Sequence, residues 1–336
     1  MSPSLSQSVT SSGPRLEALD GWRGVSILCV LAAHLLPMGP KVLQLNAMFG
    51  LLGMSLFFTL SGFLITSFLL KNPPVSDFLV RRFFRILPLA WLYLLIALTL
   101  AGATADTWLA HFFFYANLPP VHLVTLTEHI WSLCLEMQFY LGIALMFALF
   151  GVRSLLALPV LALMFTMLRV ADGVYASSIS YYRMDEILAG CCLALIVHHR
   201  SDVRLLAWLK KIPQWPLLIL LLVSCHEQGA ALNYLRPYLA ALLVGSTIVR
   251  PASTLATMLN QRVLVYLATI SYALYVIHPL LAHTWLGSGD LIVKYLKRPL
   301  LFAVLFALAH ISTFYFEHWW IARGKMVARK IKVGTA

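Results

Sequence analysis

Apolar segments of membrane-crossing length constrain this chain more than any other feature of its sequence. About ten of them follow one another, and only short polar connections separate them. They lie at 20–38, 45–70, 86–103, 131–150, 154–170, 183–198, 215–226, 234–249, 263–283 and 299–321. Backbone groups in lipid must be hydrogen-bonded internally, and strands would need the alternating polarity of a closed barrel. We therefore predict an all-α fold, a polytopic membrane helix bundle of about ten transmembrane helices.

The composition excludes a soluble protein. Apolar residues make up 60% of the chain and charged residues 11%, against roughly half and a quarter in soluble domains. The formal charge of +12 would suit nucleic acid, but membrane proteins collect Lys and Arg on cytoplasmic loops. We expect the lipid bilayer as a partner and no nucleic acid. The five cysteines lie in apolar segments without metal-ligand spacing, so we expect no metal.

The distribution of basic residues sets the expected topology. With the N-terminus in the cytoplasm, 18 of the 25 Lys and Arg fall on the inner side, which places both termini in the cytoplasm. Segment 215–226 is the weakest crossing, because about 12 apolar residues are more often re-entrant or interfacial. We predict a disordered cytoplasmic tail at 1–18, one transmembrane domain at 19–322 and a basic cytoplasmic tail at 323–336. The predicted location is the inner (plasma) membrane, crossed several times.

Polar residues inside the apolar segments indicate function, because a charge there is costly unless it faces a cavity or the bundle interior. Arg23 and His34 are eleven residues apart, so on a helix they share a stripe and differ in depth by about 16.5 Å. A core histidine remains an alternative for His34. Arg82 and Arg85 share a face and fit either a topology anchor or a phosphate site. The small Ser61 and Gly62 indicate close helix packing.

Two further segments carry polar stripes. Ser132, Glu136 and Tyr140 follow Trp131 at four-residue intervals, and Ser271, Tyr275 and His278 share one face of a later helix. A buried carboxylate must be protonated, paired from another helix or used in function, so a structural interhelical pair is the alternative for Glu136. Asp185 and Glu186 lie beside Arg183, and we expect a local charge pair there.

The predicted topology places these groups at two depths. His34, Glu136 and His278 fall in the outer half of their segments, and Arg23, Arg82 and Arg85 at the cytoplasmic mouth. This arrangement fits a polyanionic donor that enters from the cytosol and an acceptor that waits outside.

These residues resemble the acyltransferase-3 family of integral membrane O-acyltransferases. The resemblance spans about 260 residues and rests on the order and spacing of several motifs. They are Leu19-Asp20-Gly21-x-Arg23-Gly24 with His34, Phe57-Phe58 through Ser61-Gly62-Phe63, Arg82-x-x-Arg85, Trp131-Ser132-Leu133-x-x-Glu136-x-Gln138-Phe139-Tyr140, and Ser271-Tyr272 through His278.

The resemblance implies an enzyme that moves an acyl group, commonly acetyl, from cytosolic acyl-CoA to a hydroxyl. The acceptor is a glycan or glycolipid such as exopolysaccharide or lipopolysaccharide, or in some members a small natural product. His34 is then catalytic as base or acylated nucleophile, with Glu136 as the candidate carboxylate partner. The family often has a second acid where this chain has Met137.

The resemblance also assigns supporting residues. Arg23, Arg82 and Arg85 would bind the acyl-CoA donor, which the resemblance implies is acetyl-CoA. The remaining site candidates are Asp20, Ser61, Trp131, Ser132, Tyr140 and His278. Some members carry an additional hydrolase-like domain after the helices. In this chain the last predicted apolar segment ends at 321, so we expect it to acylate its acceptor directly or to pass the group to a separate acyl-accepting protein. A transporter or flippase for an anionic or glycolipid substrate is the alternative function, and a purely structural membrane protein is a third.

Overall fold

The computed structural model describes residues 17–198 and 203–334, and all regular structure in these ranges is helical. The predicted all-α fold is confirmed. Residues 1–16 of the predicted N-terminal tail lie outside the described residues. The α-helices are α1 Glu17–Leu35, α2 Leu45–Leu69, α3 Val75–Leu100, α4 Ala105–Phe112, α5 Trp131–Phe150, α6 Leu158–Ala171, α7 Met184–His198, α8 Val203–Lys211, α9 Gln214–Ser224, α10 Leu232–Val249, α11 Thr254–Leu259, α12 Arg262–Ala282, α13 Leu291–Leu296, α14 Arg298–Ile311 and α15 His318–Gly334. Short 3-10 helices cover Lys41–Leu43, Thr125–Ile130, Gly151–Ala157, Ser180–Tyr182, Glu227–Gly229 and Trp285–Gly287, and a π-helical turn covers Ser312–Glu317.

Each of the predicted apolar segments coincides with a helix, but not every helix is long enough to cross a bilayer alone. Across the described ranges, six helical runs are long and apolar enough, or seven if the bent pair α8 and α9 forms one broken span. This number is smaller than ten partly because α7 and α9, with 15 and 11 residues, are too short to be counted. In addition, α5 and α6 belong to one continuous helical run, Thr125–Ala171, which is counted once. The protein is a multi-pass helical membrane protein, and the count of about ten crossings stays a prediction.

Helix α2 packs between α1 and α7, and glycines allow the close approach to α7. A Cβ atom on Gly62 would lie 1.9 Å from the carbonyl oxygen of Ile187, and one on Gly190 would lie 2.0 Å from that of Thr59. Neither contact is compatible with a side chain, so the two backbones touch directly. The close packing predicted from Ser61 and Gly62 is therefore confirmed.

Helix α1 packs on its other side against α12, and α15 lies along α3. Gly24 of α1 touches the backbone of Leu264, and Gly324 of α15 approaches the ring of Phe84. The segment expected as a C-terminal tail is thus helical as far as Gly334. This packing places α1, α2, α3, α5 and α12 around the polar residues that the sequence singled out.

Candidate active site

Two histidines from neighbouring helices form the centre of an outer cavity. His34 near the end of α1 and His278 of α12 are joined by a hydrogen bond of 2.7 Å between His34 Nδ1 and His278 Nε2. His278 is buried, whereas His34 is exposed and lines the cavity. The cavity has about 890 Å³ in which the centre of a water molecule fits. A small molecule or a sugar residue can therefore reach His34.

The hydrogen bonds assign the protons of the two neutral rings. His278 Nδ1 lies 2.8 Å from the carbonyl oxygen of Tyr275 and 3.2 Å from that of Leu274, and a carbonyl only accepts, so Nδ1 carries the proton. His278 Nε2 is then an acceptor, and His34 Nδ1–H donates to it. His34 Nε2 is left without a proton, which is the form a general base or nucleophile needs.

A third histidine, His129, lies beside this pair and was not among the residues that the sequence analysis selected. Its ring is 5.6 Å from that of His278, between ring centroids, and its side chain is buried in the cavity wall. Neither ring nitrogen has a hydrogen-bond partner. Its position two residues before the predicted Trp131 was the only available signal in the sequence.

An inner cavity holds Glu136 and the three predicted arginines. Glu136 is buried and accepts hydrogen bonds from Ser61 Oγ, at 3.1 Å, and from the hydroxyl of Tyr140. Arg23, Arg82 and Arg85 line the same cavity. This cavity is narrow, with about 50 Å³ in which the centre of a water molecule fits.

The arginines approach the cavity from two helices. Arg23 comes from the first turns of α1 and the other two come from the first half of α3. The guanidinium carbon of Arg82 lies 5.7 Å from the ring centroid of Tyr140 and 6.0 Å from that of Phe78. The two aromatic rings hold this cation at the cavity wall.

A third cavity continues from the arginines to the end of the bundle. Arg82 and Arg85 line it together with Arg81 of α3 and Lys325 of α15. Arg81 forms an ion pair of 2.8 Å with Asp77, one turn earlier. The basic segment expected as a tail therefore supplies a cation, Lys325, to this cavity.

The three cavities follow one another along the helices. The third and the inner cavity share Arg82 and Arg85, and the inner and outer cavities share Val30, Met54 and Tyr275. Along α1 the lining residues run in order from Arg23 through Val30 to His34. The three cavities therefore adjoin in an order that runs from the arginine cluster to the histidine pair. We call this series of adjoining cavities the path, and the three side chains shared by the inner and outer cavities its constriction.

The structure brings most predicted site residues to this path but corrects the grouping of Glu136. We expected Glu136 beside the histidines in the outer half, and it lies instead in the inner cavity with the arginines. The reason is that Glu136 sits one turn deeper along α5 than Ser132. Ser132 Oγ is 2.6 Å from the Tyr275 hydroxyl, and Trp131 lines the outer cavity. Asp20 is half-buried in α1 and lines none of the three cavities.

A buried ion network occupies the other side of α2. Arg169 pairs with Asp185, while Glu186 accepts from Arg183 at 2.8 Å and from Arg236 at 3.0 Å. The expected local pair of Arg183 and Glu186 is present, but it is one part of a set that joins α6, α7 and α10. Glu186 also accepts a hydrogen bond from Ser55 of α2, at 3.0 Å.

Within the described ranges, no group of three or more His, Cys, Asp or Glu side chains could hold a metal ion. All five cysteines are free thiols.

A multi-helix membrane bundle with a histidine pair at one end of an internal path and an arginine cluster at the other has the parts of a membrane acyltransferase. The chain belongs to the acyltransferase family whose model, described as an acyltransferase domain, matches residues 16–320. The resemblance seen in the sequence motifs, and the enzyme class that it implies, are thereby confirmed.

Two curated relatives are similar to this chain. YrhL of Bacillus subtilis, a candidate peptidoglycan O-acetyltransferase, is 28% identical over 78% of this chain and 48% of its own length. The peptidoglycan O-acetyltransferase OatA of Listeria monocytogenes is 25% identical over the same shares, 78% and 48%. The chain thus spans about half the length of these relatives. No solved structure matches it.

Proposed function

We propose that the protein transfers an acyl group, acetyl by family resemblance, from cytosolic acyl-CoA to a hydroxyl of an extracytoplasmic glycan or glycolipid. The observation that carries this proposal is the series of cavities that connects the arginine cluster with the histidine pair. Donor and acceptor then approach the same reaction centre from opposite sides of the membrane.

The donor would bind at the arginine end. Guanidinium groups bind phosphate through two parallel hydrogen bonds, and Arg81, Arg82, Arg85 and Lys325 surround the third cavity. The nucleotide of acyl-CoA carries several phosphates and matches this charge. Its pantetheine arm would extend into the inner cavity past Arg23. Along α1, Arg23 and His34 are about 16.5 Å apart, which is comparable with the reach of that arm.

The transfer step would use His34. Its unprotonated Nε2 takes the proton of the acceptor hydroxyl as the hydroxyl oxygen attacks the thioester carbon. The carbon–sulfur bond breaks, and the proton passes to the departing thiolate. In the alternative sequence, Nε2 attacks the thioester carbon first and the thiolate leaves. The acceptor hydroxyl then attacks the acyl-histidine, its proton passes to the thiolate, and Nε2 is released unprotonated. Both routes use the same nitrogen, and His278 fixes the tautomer in both.

Glu136 would act at the arginine end and not on His34. It is the one carboxylate lining the inner cavity, where it faces Arg23, Arg82 and Arg85. A carboxylate there offsets part of the repulsion among three cations when no donor is bound. Ser61 and Tyr140 fix its orientation by their hydrogen bonds.

The membrane orientation follows from the charges. We place the arginine end, and both termini, in the cytoplasm of a cell with the protein in its inner (plasma) membrane. The helical run Thr125–Ala171 has 47 residues, more than twice the roughly 20 needed for one crossing, so we infer that it crosses twice. With the bent pair α8 and α9 as one further crossing and the shorter helices α7 and α10 as two more, this gives the count of about ten crossings.

The acceptor would occupy the outer cavity. The names of the two relatives point to peptidoglycan, and the cavity volume allows a sugar residue beside His34. Exopolysaccharide, lipopolysaccharide and transfer to a separate acyl-accepting protein are the other acceptors that the family resemblance allows.

The test is acyl transfer by the purified protein in detergent or nanodiscs, supplied with labelled acetyl-CoA and peptidoglycan fragments. We expect labelled ester product with the wild type and none with His34→Ala. His310→Ala is the matched control, because His310 contacts Tyr266 on α12 but lines none of the cavities. A protein that moves unmodified glycan across liposomes and never cleaves acetyl-CoA would instead be the transporter of the alternative function.

A further inference from the structure

One cationic side chain in the outer cavity has no role in the proposed transfer step. Arg183 lies just before α7 and lines the same cavity as His34. Its side chain is 1% exposed, and its guanidinium carbon lies 5.0 Å from the ring centroid of Trp131, which also lines the cavity. A buried guanidinium in a membrane protein is costly unless an anion compensates it.

The protein compensates this charge only in part. Arg183 shares the carboxylate of Glu186 with Arg236, and Arg169 takes Asp185. Three guanidinium groups against two carboxylates leave one positive charge in the buried network. Arg183 Nε has no hydrogen-bond partner. Arg183, the arginine of this network that lines the outer cavity, therefore has an N–H group left to donate.

Glu128 does not supply the missing anion. It is the carboxylate that lines this cavity, but it is exposed and forms no ion pair with Arg183. Among the described residues, only Asp185 and Glu186 pair with the three guanidinium groups, so an acidic group on a molecule that enters the cavity would complete the network.

The position of Arg183 lets it contact a different part of the acceptor from His34. His34 belongs to α1 and Arg183 lies just before α7, and α2 packs between these helices. Both residues line the outer cavity, so an acceptor with its hydroxyl at His34 can present a neighbouring group to Arg183.

We propose that Arg183 binds a carboxylate of the acceptor, so that the acceptor is an acidic glycan whose hydroxyl lies at His34 while its carboxylate pairs with Arg183. The inference rests on the proposed acyl transfer to a glycan and narrows its substrate class. Trp131, stacked on the guanidinium, would contribute a flat surface for the sugar ring.

The experiment compares two acceptors of equal size: a short oligosaccharide with one uronic acid residue, and the same oligosaccharide with that carboxylate converted to a primary amide. Transfer of labelled acetyl from acetyl-CoA is measured for each with the purified full chain. A charged hydrogen bond predicts that kcat/KM for the acid exceeds that for the amide by about 10- to 100-fold. The ratio does not depend on how much of a preparation is folded.

Two variants assign the preference to Arg183. Arg183→Lys should lower the acid-to-amide ratio several-fold, because lysine keeps the charge but loses the bidentate fork and the reach of arginine. Arg169→Lys perturbs the same ion network without touching the outer cavity and should keep the wild-type ratio.

The remaining outcomes are distinct. Equal transfer to both acceptors by the wild type overturns the carboxylate site and leaves the acyltransferase function standing. Equal loss of both activities in Arg183→Lys, with the ratio kept, also overturns it and points to a structural role. No transfer to any glycan, with acetyl-CoA intact, overturns the proposed function and this inference together.

Discussion

The hydrogen bond between His34 and His278 makes a quantitative prediction about catalysis. In His278→Phe the ring is replaced by one of similar size that cannot accept the proton of His34 Nδ1. The lost bond, and the donor left unpaired beside apolar side chains, together are worth about 1–3 kcal/mol. Each 1.4 kcal/mol is tenfold in rate, so we expect kcat to fall about 5- to 150-fold. The KM for the donor should change little, since His278 lines the outer cavity and not the two cavities at the arginine end.

The assay is steady-state acetyl transfer by purified wild type, His278→Phe, His34→Ala and the double variant. His34→Ala removes the base and should cost about 10²–10⁴-fold or more. Because His278 acts through His34, the double variant should be no slower than His34→Ala alone. The positioning role of His278 would be refuted if the fold decreases in kcat of the two single variants multiplied in the double variant, or if His278→Phe had the wild-type kcat. Either result would also refute the assignment of the proton to His34 Nδ1.

Three further predictions concern the donor site, the helix packing and the path. Arg85→Lys should weaken acetyl-CoA binding about tenfold, since a guanidinium–phosphate fork is lost. Arg262→Lys, which is exposed and lines none of the three cavities, should bind as wild type; equal affinities of the wild type and Arg85→Lys in titrations would mean that Arg85 is only a topology anchor. Gly62→Ala places a methyl group 1.9 Å from a backbone oxygen and should destabilise the protein by about 1–3 kcal/mol, read as a lower thermal midpoint. Gly142→Ala, which meets nothing within 4 Å, should be neutral or slightly stabilising. Val30→Trp fills the constriction between the inner and outer cavities, so it should abolish transfer while acetyl-CoA still binds, and full activity would show that the thioester does not pass this point.

The sequence predicted the helices well because membrane helices are encoded locally. Segment 45–70 was expected and α2 covers Leu45–Leu69, since continuous apolar character needs no tertiary context. The stripes were also predictable: Tyr140 bonds to Glu136 one turn away, as the four-residue spacing requires.

Contacts between helices were harder to predict. Periodicity shows which residues share a face of a helix, but not which residues of the neighbouring helices that face meets. For this reason Glu136 was grouped with the histidines, whereas it shares a cavity with the arginines. His129 lies outside every predicted segment. The partners of Glu186 come from residues 183 and 236, and no local pattern links the second of these to α7.

The central claim is that an acyl group crosses the membrane from a cytoplasmic donor to an extracytoplasmic hydroxyl. It is tested most directly with sealed vesicles of known orientation, supplied with labelled acetyl-CoA on the outer face and with acceptor on both faces. Inverted vesicles, whose arginine end faces outward, should use the donor and deliver the labelled ester to the acceptor in the lumen. Right-side-out vesicles should use none. Equal use by both orientations, or product on the same side as the donor, would contradict transfer along the path from the arginines to His34.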